Sequence, residues 1–288
     1  MRGPTTPAIT GAHPGAFRGL VARRPVLTLC VVVIGLSVSL QMALVLTGRD
    51  IFPGKAAELL ILPGTAVLLT AWLEGRAGVG RLLAGLIRWR IGMPRWLLIL
   101  VAMPVLTVGV AAAAGTLVAP AKGWGDIALW YVIILAFSAL TANLWEELAW
   151  SGFVQVRLMS RHGLLVGSLL TAVPFFLIHL PLAWENAGWA GTSSHDVLVT
   201  WAWLLVALPF FRYLAGMLLV DTKGSVLAVG ILHGSFNAAG AMAVLAGGWE
   251  YVPAVVLLTL LVAGVRALRR RRLGVVTDLV ISRGTGPG

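Results

Sequence analysis

The sequence predicts an all-α protein, a polytopic transmembrane helical bundle of about eight spans, and three observations carry that expectation. Only 11% of its residues are charged against 59% hydrophobic, where an ordinary soluble domain is roughly 25% charged. Apolar runs of about 20 residues recur along nearly the whole chain, each long enough to cross about 30 Å of hydrocarbon as a helix that pairs its own backbone groups. The basic residues behind the net charge of +11 sit in short segments between those runs. There they set orientation and attract anionic headgroups, so nucleic acid is not an expected partner.

Residues 1–24, with Pro4, Pro7 and Pro14, read as a flexible cytoplasmic tail ending in Arg18, Arg23 and Arg24. Residues 25–268 form the membrane-embedded domain, with its chemistry in 126–246, and 269–288 are a basic cytoplasmic tail. The first span, 26–47, is longer than a signal-peptide core and is read as uncleaved; Cys30 within it has no disulfide partner and reads as a packing residue. The second span covers 56–73, broken by Pro63-Gly64, and leads into a connection with Arg76, Arg81, Arg88, Arg90 and Arg95. The third is 96–118. The fourth begins near Asp126, carries Glu146 and Glu147, and stays helical to Met159. The fifth runs over 163–182 and ends at Pro181. The loop 183–196 holds Trp184, Trp189 and His195, and its tryptophans suit a membrane interface. Spans over 197–220, 225–246 and 252–268 follow, the last closed by Arg269 to Arg272.

Eight spans put both termini on one side. All Lys and Arg except Arg49, Lys55, Lys122 and Arg212 fall on that side or in the tails, which makes both termini cytoplasmic. The expected location is the plasma membrane of a bacterium.

With eleven Asp and Glu in 288 residues, ionisable groups at membrane depth stand out. Glu146-Glu147, His179, His233 with Asn237, and Arg212 are such groups; they are costly in lipid and face a bundle interior, a partner or a water-filled cavity. Residues four apart share a helix face, so His233 and Asn237 point the same way. Adjacent glutamates diverge by about 100°, which assigns Glu146 to a cavity and Glu147 to a structural partner. Two chemistries are open. Glu146 with one His can activate water while His and Asn donate to the resulting oxyanion. Alternatively Glu146, His179 and His233 are competent ligands for a divalent metal such as zinc, with water at the open position. A further class, a catalytically inactive scaffold or a proton-coupled transporter, would use the same buried groups as a relay.

Taken in order, Glu146-Glu147, Phe175 with His179, and His233 with Asn237 resemble the CPBP family (CAAX protease and bacteriocin-processing, or Abi) of intramembrane proteases. Its pattern is Glu-Glu-x-x-x-Arg, Phe-x-x-x-His and His-x-x-x-Asn on three of about eight helices. The resemblance implies a glutamate-dependent endopeptidase, often called a metalloprotease, acting on a membrane-associated or lipid-modified protein, with membrane lipids as partners. It implies that Glu146 and His179 activate water and that His233 and Asn237 hold the oxyanion. One position departs from the pattern: Ser151 stands where the family has Arg, leaving Glu147 without a cation on its own helix. Arg212, from the sixth span, is the expected substitute. Counted from Gly163, His179 lies about 24 Å along its helix, deeper than the level expected of Glu146.

Elsewhere, His195-Asp196 reads as a solvated loop pair. The aromatics Trp145, Trp150 and Phe153 read as lipid-facing or packing groups. Gly230 and Gly234 form a small-residue face suited to close helix contact.

Overall fold

The computed structural model describes Gly19 and residues 21–284, with side chains as far as Arg269. The expected N-terminal tail therefore lies largely outside the described residues, as do the side chains of most of the C-terminal basic tail. The molecule is a helical bundle without a β-strand among the described residues; its helices are α1 (Pro25–Leu46), α2 (Phe52–Ala84), α3 (Met93–Ala114), α4 (124–162), α5 (164–178), α6 (Ser194–Asp221), α7 (Val226–Gly240) and α8 (Tyr251–Gly284). By length and composition six helices can cross a membrane, one of them being the continuous 61-residue stretch Trp124–Trp184 that contains α4 and α5.

That stretch is folded back on itself. Gly163 has φ 77° and ψ 173°, a conformation open essentially to glycine alone. Gly167 then packs directly on the backbone of Met159, where a Cβ would stand 2.5 Å from its Cα. Gln155 Nε2 donates to Ser168 Oγ across the two arms at 3.1 Å, and Trp150 meets Phe175 edge-on at 5.6 Å. These pairs define an antiparallel register that sets Glu146 opposite His179. Measured from Gly163, the two residues lie about 25 Å and about 24 Å along their arms. The expected mismatch in depth is thus absent, because both distances start at the same turn.

Other boundaries differ from expectation for physical reasons. Helix α2 runs unbroken through Pro63-Gly64 and kinks instead at Gly75, φ 66° and ψ −166°; a proline's missing N–H is tolerated in membrane helices, whereas a positive-φ glycine ends helical geometry. The expected seventh span stops at Gly240. Its 15 residues reach about 22 Å, short of the roughly 30 Å hydrocarbon core. The chain beyond it folds back through Val118 N–H to Val244 O at 2.9 Å and Ala246 N–H to Thr116 O at 3.0 Å. At the other end α8 stays helical to Gly284, past the expected close at Leu268. His195 and Asp196 belong to the first turn of α6 rather than to a loop: Ser193 caps it, and the Ser193 and Asp196 side chains form a reciprocal capping box of the kind that satisfies orphan N–H groups.

Helix α7 is the centre, packed against α3, α4, α6 and α8. Its glycines explain how close it comes to α4. A Cβ on Gly230 would meet Leu144 at 2.6 Å, and one on Gly234 would meet Leu135 and Ala139 at 3.0 and 3.2 Å. Tyr131 locks the same contact from the α4 side, its hydroxyl 2.7 Å from Leu100 O and 2.8 Å from Ser235 Oγ. The outer faces of α1 and α2 carry exposed Val31 and Leu60, as lipid-facing helices do.

Candidate active site

Glu146 and Glu147 occupy Leu144–Ala149, a short α-helical turn between two π-helical segments, Ala139–Asn143 and Trp150–Gln155. Such widened turns are rare and concentrate at functional sites. They help divide the two carboxylates: Glu147 is fully buried, while the Glu146 side chain keeps 15% of its surface.

Glu147 is saturated. Its Oε1 accepts from Arg212 Nη2 and from His233 Nδ1 at 3.0 Å; its Oε2 accepts from Arg212 Nη1 at 3.1 Å and from the Ser151 hydroxyl. Four donors fill the roughly four lone-pair sites of a carboxylate. Ser151 is therefore a partner of Glu147 and not a vacancy, and the cation comes from α6. Arg212 is itself fully buried, which disposes of a snorkelling side chain. Its guanidinium lies over the rings of Phe175 at 4.1 Å and Phe211 at 4.8 Å, a favourable position for a cation, and its two-pronged grip fixes the carboxylate plane.

His233 is held beside this pair, with Nδ1 3.8 Å from Glu146 Oε2. An ionised carboxylate only accepts, so Nδ1 carries a proton and Nε2 points away without a partner among the described residues. His179 is fixed differently. Its Nδ1 lies 2.6 Å from Phe175 O; a carbonyl also only accepts, so the neutral ring presents its lone pair at Nε2. Phe175 separates the two imidazoles, 4.6 Å from His179 and 5.8 Å from His233 between ring centroids. Asn237, one turn beyond His233, is exposed, and its side chain makes no hydrogen bond among the described residues.

Glu146, His233, Glu147 and Arg212 thus form one contact network, and the α4–α5 register adds His179. Asn237 shares the α7 face of His233 but is not bonded to the others. Trp150 and Phe153 are fully buried and belong to the packing around the site; Trp145 is exposed. Sequence reasoning passed over Glu58, a carboxylate inside the second apolar run. It accepts from Gln41 Nε2 at 2.7 Å. The signal was present, since any Glu in an apolar run of this chain merits the same attention as Glu146.

Glu147 is filled, both Nδ1 atoms are engaged, and among the described residues no three His, Cys, Asp or Glu side chains are grouped so as to hold a metal ion.

Comparison with known proteins agrees with the motifs. Residues 128–239 match the family model described as Type II CAAX prenyl endopeptidase Rce1-like, a segment that contains Glu146, Glu147, His179, Arg212, His233 and Asn237. No curated protein matches the chain.

Proposed function

From the premise that residues 128–239 match the Rce1-like CAAX prenyl endopeptidase model, we propose that the chain is an intramembrane endopeptidase that hydrolyses a peptide bond in a membrane-associated or lipid-modified protein. It works in the plasma membrane of a bacterium with both termini cytoplasmic. Glu146 and His179 are the water-activating pair. Water attacks the scissile carbonyl carbon as its proton passes to Glu146 or to Nε2 of His179, and the carbonyl oxygen becomes an oxyanion. Asn237 Nδ2–H and, in its imidazolium form, His233 Nε2–H stabilise that oxyanion. Collapse of the tetrahedral intermediate breaks the C–N bond, and the stored proton goes to the leaving amine. Glu147 and Arg212 are positioning residues, with Glu147 orienting His233 as a buried carboxylate orients a catalytic histidine.

One observation carries this division of labour. Every acceptor site on Glu147 is filled by protein donors, while Glu146 keeps accessible surface and both imidazole Nε2 atoms stay unpaired among the described residues. The test is cleavage of a membrane-embedded peptide by purified protein in vesicles. Glu146→Ala and His179→Ala should abolish it while leaving the thermal midpoint near that of wild type. Folded wild-type protein that cleaves no member of a membrane-peptide library, but carries proton-coupled flux, would contradict the reading.

A further inference from the structure

A polar cavity lies away from the glutamate site, at the end of the bundle where α2 gives way to the 85–92 connection and α6 turns into α7. Its volume is about 390 Å³, within the size range of small-ligand pockets. Arg81, Arg88, Arg157 and Lys223 line it, with Glu74 as the one acidic lining residue. Glu74 is consumed by two of these cations, accepting from Arg81 Nη2 at 2.9 Å and from Arg157 Nη2. Arg157 is further fixed by its bond to Phe153 O at 3.0 Å and by the Phe153 ring 3.8 Å beneath it. Arg88 and Lys223 have no carboxylate partner among the described residues. The cavity therefore holds a formal excess of positive charge that no carboxylate among the described residues neutralises.

Two further features point to an occupant. Lys223 has φ 55° and is the one non-glycine with positive φ among the described residues, in a position where glycine would be at ease; a lysine kept there against backbone preference supplies its charge to the cavity. Its level in the membrane is marked by Trp89, exposed beside the cavity's Arg88, with Arg90 stacked on its ring at 5.1 Å. Exposed tryptophan with basic neighbours at the end of an apolar helix is the signature of the headgroup zone. We propose that this cavity binds the phosphate-bearing headgroup of an anionic phospholipid. Its floor includes Gly152, in the widened turn Trp150–Gln155 whose Ser151 bonds Glu147, so a bound headgroup braces the segment that holds the buried glutamate.

The experiment measures the thermal midpoint of the full-length purified protein in neutral detergent, titrated separately with short-chain phosphatidylglycerol, short-chain phosphatidylcholine and inorganic phosphate. Phosphatidylglycerol should raise the midpoint saturably, and phosphatidylcholine should not. Inorganic phosphate should act only at concentrations on the order of a hundredfold higher, since it lacks the chains that concentrate lipid at this level. Arg88→Ala and Lys223→Gly should each raise the half-saturating lipid concentration about fivefold, the effect of one interfacial cation. Lys223→Gly also relieves the backbone strain, so its fold is secure, and Arg90→Ala, outside the cavity, should leave the value unchanged. Unchanged half-saturation in both cavity variants, or an equal response to phosphatidylcholine, would overturn the site. A response to inorganic phosphate equal to that of the lipid would overturn the lipid assignment.

Discussion

Replacing Arg212 with leucine removes the cation on which the buried glutamate depends. The variant leaves Glu147 fully buried with only the Ser151 and His233 donors. Breaking a buried ion pair from one side costs about 3–5 kcal/mol, because the remaining charge loses its compensation; loss of contact with two aromatic faces adds roughly 0.5–2 kcal/mol. For a chain of this size the ion-pair term alone corresponds to a drop in thermal midpoint of roughly 6–20 °C. Glu147→Gln combined with Arg212→Met should recover part of the loss, with a coupling between the two positions of about 0.5–3 kcal/mol. Thermal unfolding in detergent measures both quantities, and peptide cleavage should fall in the single variants because His233 loses its anchor. An Arg212→Leu protein that melts within about 2 °C of wild type, with a double variant no better than either single one, would refute the assignment of Arg212 as the partner of Glu147.

Three other substitutions probe the same framework. Ser151→Arg, which restores the family residue, introduces a second cation beside a filled carboxylate at a position with no exposed surface; it should destabilise by about 3 kcal/mol or more, and adding Arg212→Leu should recover stability because Arg and Glu four apart can pair on one helix. Gly167→Val places side-chain atoms against the Met159 backbone, so it should pry the α4–α5 arms apart and lower cleavage more than it lowers the midpoint, as read by parallel kinetic and melting assays. Asn237→Ala removes an exposed side chain without hydrogen-bond partners among the described residues and should leave the midpoint within about 0.5 kcal/mol of wild type, while cutting kcat on the order of 10²-fold if the amide serves the oxyanion.

Much of this architecture was legible in the chain itself. Each expected apolar run has a helical counterpart, because burying an unpaired backbone in hydrocarbon leaves few alternatives to a helix. That Glu146, Glu147 and His233 meet was legible too, since polar groups are rare enough in this chain to be conspicuous. What escaped the sequence depends on tertiary geometry. Whether Pro63 or Gly75 breaks α2 is decided by φ and by the neighbours that satisfy the freed carbonyl, not by residue type. The depth of His179 could not be compared with that of Glu146 until the Gly163 turn was seen to serve both arms. Ser151 looked like a missing cation because one helix cannot show that its hydroxyl and Arg212 of another helix converge on the same carboxylate. Glu58 was hidden by its apolar surroundings, a case where averaging over a run obscured the residue that mattered.

In the proposed mechanism Glu146, and not the saturated Glu147, activates water. The most direct measurement is the single-turnover rate of peptide cleavage by Glu146→Gln, a near-isosteric change, in protein whose thermal midpoint matches wild type. A fall of about 10²–10⁴-fold is expected, the usual contribution of a general base. A folded Glu146→Gln protein that cleaves within tenfold of the wild-type rate would contradict it.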